Sequence, residues 1–463
     1  MTTTARTLSV VVGMGRSGIG AARLLQARGH HVLVLEHRDG PILQDRASAL
    51  AAEGIEVKLN APLCDATFSC LPSRPFELII SPGIPWDHPV LENLRLQGIA
   101  IHGELVPAWD AMGDVPWIGI TGTNGKTTVT QLVHHILKQG GLDAPLCGNV
   151  GVSAAELALE RMGANQRRPD WLVVELSSYQ IEAAVELAPA IGVWTTLTPD
   201  HLERHYSLDN YRAIKRRLLD DSRTQIVNAD DADLRAHSGS WMRADWVTTG
   251  NGNDLPDSIK PHLWIEANQV RSKEGVLFPA DCLAMPGRHN LQNLMLAAAV
   301  ALKVGLDAER VEQALRSFPG VPHRLERLRM LGGIEWFNDS KATNYDAAEM
   351  AVKALKAPLV VLAGGQKKQG DASAWLSALH RQAAAVVLFG AAREEFKALL
   401  QSSGYRGQVV DLPGLVEAVP IAADLAGATS SRCVVLSPAC ASFDQYTDFE
   451  ARGDHFRQLV EAL

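Results

Sequence analysis

Two rhythms of apolar residues alternate along this chain. Short apolar runs with no polar face occur at residues 8–12, 32–35, 77–80, 117–120, 171–175, 191–196 and 225–227. Turn formers bound them, so they read as strands buried on both faces. Longer stretches between them carry apolar residues at helical spacing. One begins at residue 126, where Val129, Leu132, Val133, Ile136 and Leu137 fall on one face. Another, residues 290–304, is apolar enough to be a buried helix. Alternating strands and helices predict open α/β sheets.

The rhythm breaks at residues 318–322, Phe-Pro-Gly-Val-Pro, which read as a linker. Beyond it, strands are expected at 334–337, 359–362, 385–389, 409–412 and 433–436, with helices between. Residues 238–280 are rich in Gly, Asn, Asp and Ser and read as peripheral hairpins and loops. The expected architecture is three α/β domains in series, at 1–104, 105–319 and 320–463.

Composition narrows the function. The chain has 463 residues and is 46% hydrophobic, which suits two or three globular domains. A net charge of -8 argues against nucleic-acid binding as its main role. No apolar run is long enough to cross a bilayer, and the polar start suggests no signal peptide. Six cysteines lie scattered without a CxxC pair, so free thiols in a reducing, cytoplasmic setting are expected.

The richest chemistry follows the run at 117–120. Gly122-Thr123-Asn124-Gly125-Lys126-Thr127-Thr128 turns directly into the amphipathic helix. Glycines let backbone N–H groups close around a polyphosphate, and the helix N-terminus favours anions. Lys126 suits the outer phosphates, and a Thr127 or Thr128 hydroxyl suits Mg²⁺. Ile120 stands where a strict P-loop has its first glycine. ATP is the expected ligand.

An earlier turn, Gly13-Met14-Gly15-Arg16-Ser17-Gly18, joins a strand to a helix, and a second strand ends in Glu36. This nucleotide fingerprint suits an NAD-like dinucleotide and, given the ATP loop further along the chain, a second nucleotide-bearing ligand equally well. Ser81-Pro82-Gly83-Ile84 closes another strand, where open sheets bind ligands.

Glu175 ends its strand directly and suits Mg²⁺ as a Walker-B-like acid. Asp200 and His201 follow the strand at 191–196, where a His binds metal or polarises a carboxylate. Lys215 lies in a basic helix that composition alone reads as a solvated face. In Asn338-Asp339-Ser340-Lys341-Ala342-Thr343-Asn344, Lys341 suits a carboxylate or phosphate, and Asp339 a ribose or an ammonium group. Cys440 has no nearby base to activate it.

These segments, in this order, resemble the Mur ligases. Further matches are Gly-Asn-Val-Gly (148–151), Glu-Leu-Ser-Ser-Tyr-Gln (175–180), Asp-His-Leu-Glu-Arg-His (200–205), Gly-Arg-His-Asn (287–290), Pro-His-Arg-Leu-Glu (322–326) and Ser-Pro-Ala-Cys-Ala-Ser-Phe-Asp-Gln (437–445). The Asn-Asp-Ser-Lys and Ser-Pro-Ala-Cys motifs resemble the D-glutamate-adding branch most. No Asp-Asn-Pro-Arg is present, which the diaminopimelate- or lysine-adding branch would carry.

The resemblance implies a Rossmann-like N-terminal domain for a UDP substrate, a central P-loop ATPase-like domain and a Rossmann-like C-terminal domain for an amino acid. It implies that Arg16, Ser17, Glu36, Arg38, Gly83 and Asn149 face the UDP substrate, so that the first turn holds UDP rather than NAD. Gly122, Thr123, Asn124, Gly125, Lys126, Thr127 and Thr128 would take the ATP phosphates, Asn290 and Asn293 the adenine, and Arg324 and Asp339 the phosphates and ribose. Thr127, Glu175 and His201 would hold Mg²⁺, with Lys215 as its carbamate. Lys341, Thr343, Lys368, Ser442 and Phe449 would surround D-glutamate, with Lys341 also orienting the amino acid. Two departures stand out: Gly364-Gly365 is followed by Gln366-Lys367-Lys368, so that Lys367 is an alternative contact, and Glu36 replaces a common Asp.

The implied reaction phosphorylates the carboxylate of UDP-N-acetylmuramoyl-L-alanine from ATP, and D-glutamate then displaces phosphate. A monomer without membrane insertion is implied, with closure of the third domain during turnover. A sister ligase adding L-alanine, or a folylpolyglutamate synthase, is the nearest alternative.

Overall fold

The computed structural model describes residues 7–163, 166–241, 243–285, 287–367 and 370–463. They form two compact units, one of residues up to Leu283 with Arg288–Phe318, the other of Ala284–Gly287 with Pro319–Leu463.

The first unit holds two sheets. A five-stranded parallel sheet has the order Glu56–Lys58, His31–Leu35, Leu8–Val12, Glu77–Ile80, Ala100–Gly103. Every residue of Leu8–Val12 is buried, as a central strand covered on both faces requires. Strand order reverses between Leu8–Val12 and Glu77–Ile80, which opens a crevice at their C-terminal ends. The Gly13 turn and the Ser81 turn meet there, with the Ser81 amide donating to the Val12 carbonyl at 3.0 Å.

In the larger sheet, Trp117–Thr121 lies between Leu172–Glu175 and Ile191–Trp194, all parallel. The phosphate-type loop, Glu175 and Thr195-Thr196 therefore leave the same edge of the sheet side by side. Helix Lys126–Gln139 packs against helix Arg288–Val304, whose buried residues run from Asn290 to Ala301. The reading of residues 238–280 as hairpins and loops needs one correction. Ala244–Val247 pairs in parallel with Thr224–Asn228 and extends the main sheet; only Pro261–Pro279 forms the antiparallel meander. That strand escaped notice because only Trp246 and Val247 of its residues are buried.

The second unit is a six-stranded sheet in the order Glu326–Leu331, Ile334–Asn338, Cys433–Leu436, Leu359–Gly364, Ala383–Phe389, Gln408–Asp411. The first of these is an antiparallel edge strand, joined to the next through Gly332-Gly333, both at positive φ. No helix among the described residues is long and apolar enough to cross a membrane.

Candidate functional site

In the first unit the site is built around the loop after Trp117–Thr121. Gly122 and Gly125 have φ of +149° and +83°. A Cβ on Gly122 would lie 1.9 Å from Thr195 Oγ1, and one on Gly125 2.7 Å from Asn293 Oδ1. Only glycine fits both the conformation and the space. Threonines outside the loop hold it: Thr196 Oγ1 accepts from the Asn124 amide at 2.9 Å, and the Thr123 amide donates to the Thr196 carbonyl at 2.8 Å. Lys126 Nζ donates to the carbonyls of Gly122 and Thr123, each at 2.8 Å. Thr127 and Thr128 are buried at the start of the helix.

Lys215 corrects the reading from composition. It is not on a solvated face but only 1% exposed. The amphipathic helix Leu208–Asp220 turns it inward, where Nζ donates to Thr121 Oγ1 at 3.2 Å and the Gly122 carbonyl at 3.1 Å. Burial pushes its pKa well below the usual lysine range, and the charge of Lys126 adds to this. The Tyr211 ring lies 4.7 Å from Nζ, and its hydroxyl is 3.3 Å from Thr123 Oγ1.

Glu175 is buried at the end of its strand. Asn149 Nδ2 donates to its Oε1 at 2.8 Å, while Oε2 is buried without a hydrogen-bond partner. His201 is exposed, with Asp200 at 3.6 Å and Glu203 at 3.7 Å from its ring nitrogens, and its ring lies 5.2 Å from that of Tyr179. Asn290 and Asn293 are buried on one helix face and share a 3.2 Å hydrogen bond. No group of three or more His, Cys, Asp or Glu side chains among the described residues converges as a metal cage.

At the first sheet's crevice, Glu36 is buried and engaged by its own fold. It accepts from the Met14 amide at 3.0 Å and the Arg38 amide at 3.1 Å. Burial alone would raise its pKa; these amides and the Arg38 guanidinium outweigh burial and hold it low. Glu36 thus shapes the turn that Met14 belongs to. Arg16 and Gly83 are exposed and Ser17 is half-buried.

In the second unit Asp339 is buried, accepting from the Leu325 amide and the Ser437 hydroxyl, each at 3.1 Å. Burial pushes its carboxyl up to about 7, against these bonds and the nearby Arg324 charge. His323 and Leu325, at φ of +60° and +43°, bracket Arg324, whose Nε is buried without a partner. Lys341 Nζ lies 5.4 Å from the Phe449 ring centre. Ser442 is buried and Thr343 half-buried. Lys367 pairs with Glu395; Lys368 lies outside the described residues.

The sequence reading missed Thr195, Thr196, Tyr211 and Arg452. The fully buried Arg452 donates to Ser340 Oγ at 3.0 Å and to the carbonyls of Ser340, Cys440 and Ala441 at 2.8, 3.1 and 3.2 Å. It pins together the two loops that carry Lys341 and Ser442. Its place in an amphipathic helix reads as an ordinary surface cation, so no sequence signal marked it. Cys440 is buried and its thiol pushed up to about 12, which makes it a poor nucleophile.

Family models match nearly the whole of this frame. The Mur ligase MurD-like N-terminal domain matches residues 7–103, the Mur ligase middle domain 120–301, and the Mur ligase glutamate ligase domain 323–440. The chain belongs to the Mur ligase family. Among curated relatives, the UDP-N-acetylmuramoylalanine–D-glutamate ligase of Synechococcus sp. (strain CC9605) is 54% identical over 99% of both chains. That of Prochlorococcus marinus (strain MIT 9313) is 55% identical over 98% of both. A solved UDP-N-acetylmuramate-alanine ligase from Thermotoga maritima shares this Mur ligase fold, with a TM-score of 0.61 at 19% identity, over 99% of this chain and 100% of that one.

Proposed function

We propose that this chain is an ATP-dependent ligase that joins D-glutamate to UDP-N-acetylmuramoyl-L-alanine in cytoplasmic peptidoglycan precursor synthesis. The observation that carries the reading is that relatives named for this reaction share more than half of the aligned positions from end to end. A free carboxylate is a poor electrophile. Transfer of the γ-phosphoryl group of ATP to it makes an acyl phosphate and ADP. The D-glutamate amine attacks the acyl carbon, the C–O bond to phosphate breaks, and the nitrogen loses its proton as the amide forms.

The residues divide this work. The amides of the Gly122–Thr128 loop and Lys126 hold the ATP phosphates, and preorganised donors stabilise the charge of the transferring group. Asn290 and Asn293 border the adenine, while Arg324 and Asp339 serve the phosphates and ribose. Arg16, Ser17, Arg38, Gly83 and Asn149 face the UDP substrate, with Glu36 shaping their turn. Lys341, Thr343, Ser442 and Phe449 receive D-glutamate, whose two carboxylates suit lysine and hydroxyl donors; Lys368 is assigned here from its motif alone.

Mg²⁺ fits this donor set. The partnerless Glu175 Oε2 is a buried acceptor of the kind a cation satisfies. Thr127, Glu175 and His201 would hold the ion, with phosphate oxygens completing a shell that protein side chains do not close. Lys215 would join them as a carbamate; its lowered pKa favours the neutral amine that reacts with CO₂. When bound, Mg²⁺ neutralises charge on the phosphoryl oxygens.

Oxygen-18 in the substrate's terminal carboxylate tests the chemistry. One labelled oxygen in the released phosphate is expected. Unlabelled phosphate would rule out the acyl phosphate.

A further inference from the structure

The turn that carries His201 is held at a cost to its backbone. Helical turn Leu202–His205 is bracketed by His201 at φ +52° and Tyr206 at φ +66°, a conformation that non-glycine residues rarely adopt. Contacts outside the turn must therefore maintain it.

Those contacts come from two sides. On the inner side the fully buried His205 shares a 2.8 Å hydrogen bond with Ser178 Oγ, in the short helix that follows Glu175. On the outer side the partner is Asp87, which the mechanism above does not use. Tyr206 OH donates to Asp87 Oδ2 at 2.6 Å, and Arg204 Nη1 reaches Asp87 Oδ1 at 3.4 Å. Arg204 also donates to Glu182 Oε2 at 2.7 Å, and both of these side chains are largely buried.

Asp87 lies just beyond the Ser81-Pro82-Gly83-Ile84 turn, on the crevice side of the first sheet. The Ser81 hydroxyl of that turn donates to the Gly13 carbonyl at 3.4 Å. The Ser81 turn thus touches the Gly13 turn, the chain itself carries it three residues on from Ile84 to Asp87, and contacts lead from Asp87 to Tyr206 and Arg204, whose amide donates to the His201 carbonyl at 3.0 Å. All of it lies within the first compact unit.

We propose that Asp87 is a positioning residue that transmits occupancy of the UDP-substrate turn to the His201 turn through Tyr206 and Arg204. The proposal rests on the UDP assignment made above. Substrate held at Gly83 steadies the segment leading to Asp87, and the clasp then fixes His201 where the reacting carboxylate arrives. Without the clasp, the strained turn relaxes and His201 leaves its working position.

The test compares wild type, Asp87→Ala, Tyr206→Phe and the double variant in the full-length protein. The first readout is tryptic cleavage after Arg204, followed by mass spectrometry with and without UDP. UDP is expected to slow cleavage in the wild type and to lose that effect in Asp87→Ala. The second readout is turnover with UDP-N-acetylmuramoyl-L-alanine, ATP and D-glutamate. A displaced catalytic group costs kcat, so about a tenfold loss of kcat is expected, while UDP affinity falls by no more than the factor by which UDP slows cleavage in the wild type. The double variant should be no worse than Asp87→Ala, because the two residues act as one unit.

Equal UDP protection in Asp87→Ala and wild type, unchanged kcat, or additive losses in the double variant would overturn the clasp while leaving the ligase reading intact. A wild-type chain that neither binds UDP nor turns over would remove that reading, and this proposal with it.

Discussion

Asp339 shows how much one buried carboxyl changes the behaviour of its unit. Its pKa is raised to about 7, so the folded chain keeps a proton that the unfolded chain gives up near pH 4. The stabilising effect of that proton is complete below about pH 4 and is lost as pH rises through about 7. The second unit should therefore weaken across this window, by on the order of 4 kcal/mol at most. Urea unfolding of wild type and Asp339→Asn at pH 5 and pH 8 checks this. The variant should show a smaller difference between the two pH values; an equal difference would assign the slope to other groups. The sequence marked Asp339 as a candidate from its place after a strand. It gave no sign that the carboxyl would be enclosed, because enclosure depends on Leu325 and Ser437 from other segments. Lys215 failed in the opposite direction. Its basic neighbours suggest solvent, yet three residues sharing a stretch of helix point different ways, and Lys215 takes the buried stripe with Tyr211 and Leu218.

At the scale of elements, the fully buried strands were the most legible, since a strand covered on both faces needs an unbroken apolar run. Leu8–Val12 and Glu77–Ile80 were found at their observed bounds. The edge strand Glu326–Leu331 was not, because it alternates charged and apolar residues beside solvent. The turn at Gly122–Thr128 was legible because glycine spacing encodes backbone shape directly. The threonines that brace it were hidden, since Thr195 and Thr196 belong to a neighbouring strand end. The loop makes a firm prediction. Gly125→Ala places a methyl group against Asn293 in a left-handed conformation, at a cost of about 1–2 kcal/mol from the backbone alone. Calorimetric titration with a non-hydrolysable ATP analogue should show weakened binding, while UDP binding at the other sheet stays unchanged. Equal ATP affinity would mean that the loop does not cradle the phosphates.

For the whole molecule, the order of the motifs was the decisive sequence signal. Any one of them is a weak pointer; GxGxxG alone suggested NAD. Together they outlined a Mur ligase, and family models covering three successive segments agree. Chemistry distributed over distant segments cannot be read from local pattern, which is why Arg452 went unseen although it ties two loops of the second unit. What sets this chain apart from its sister ligases is the amino acid it adds and the hand of that amino acid. Phosphate release from ATP and Mg²⁺ should be measured with UDP-N-acetylmuramoyl-L-alanine while D-glutamate, L-glutamate and L-alanine are added in parallel. Release that depends on D-glutamate alone is the predicted result. Release that is equal with L-glutamate or L-alanine, or absent with D-glutamate, would contradict it.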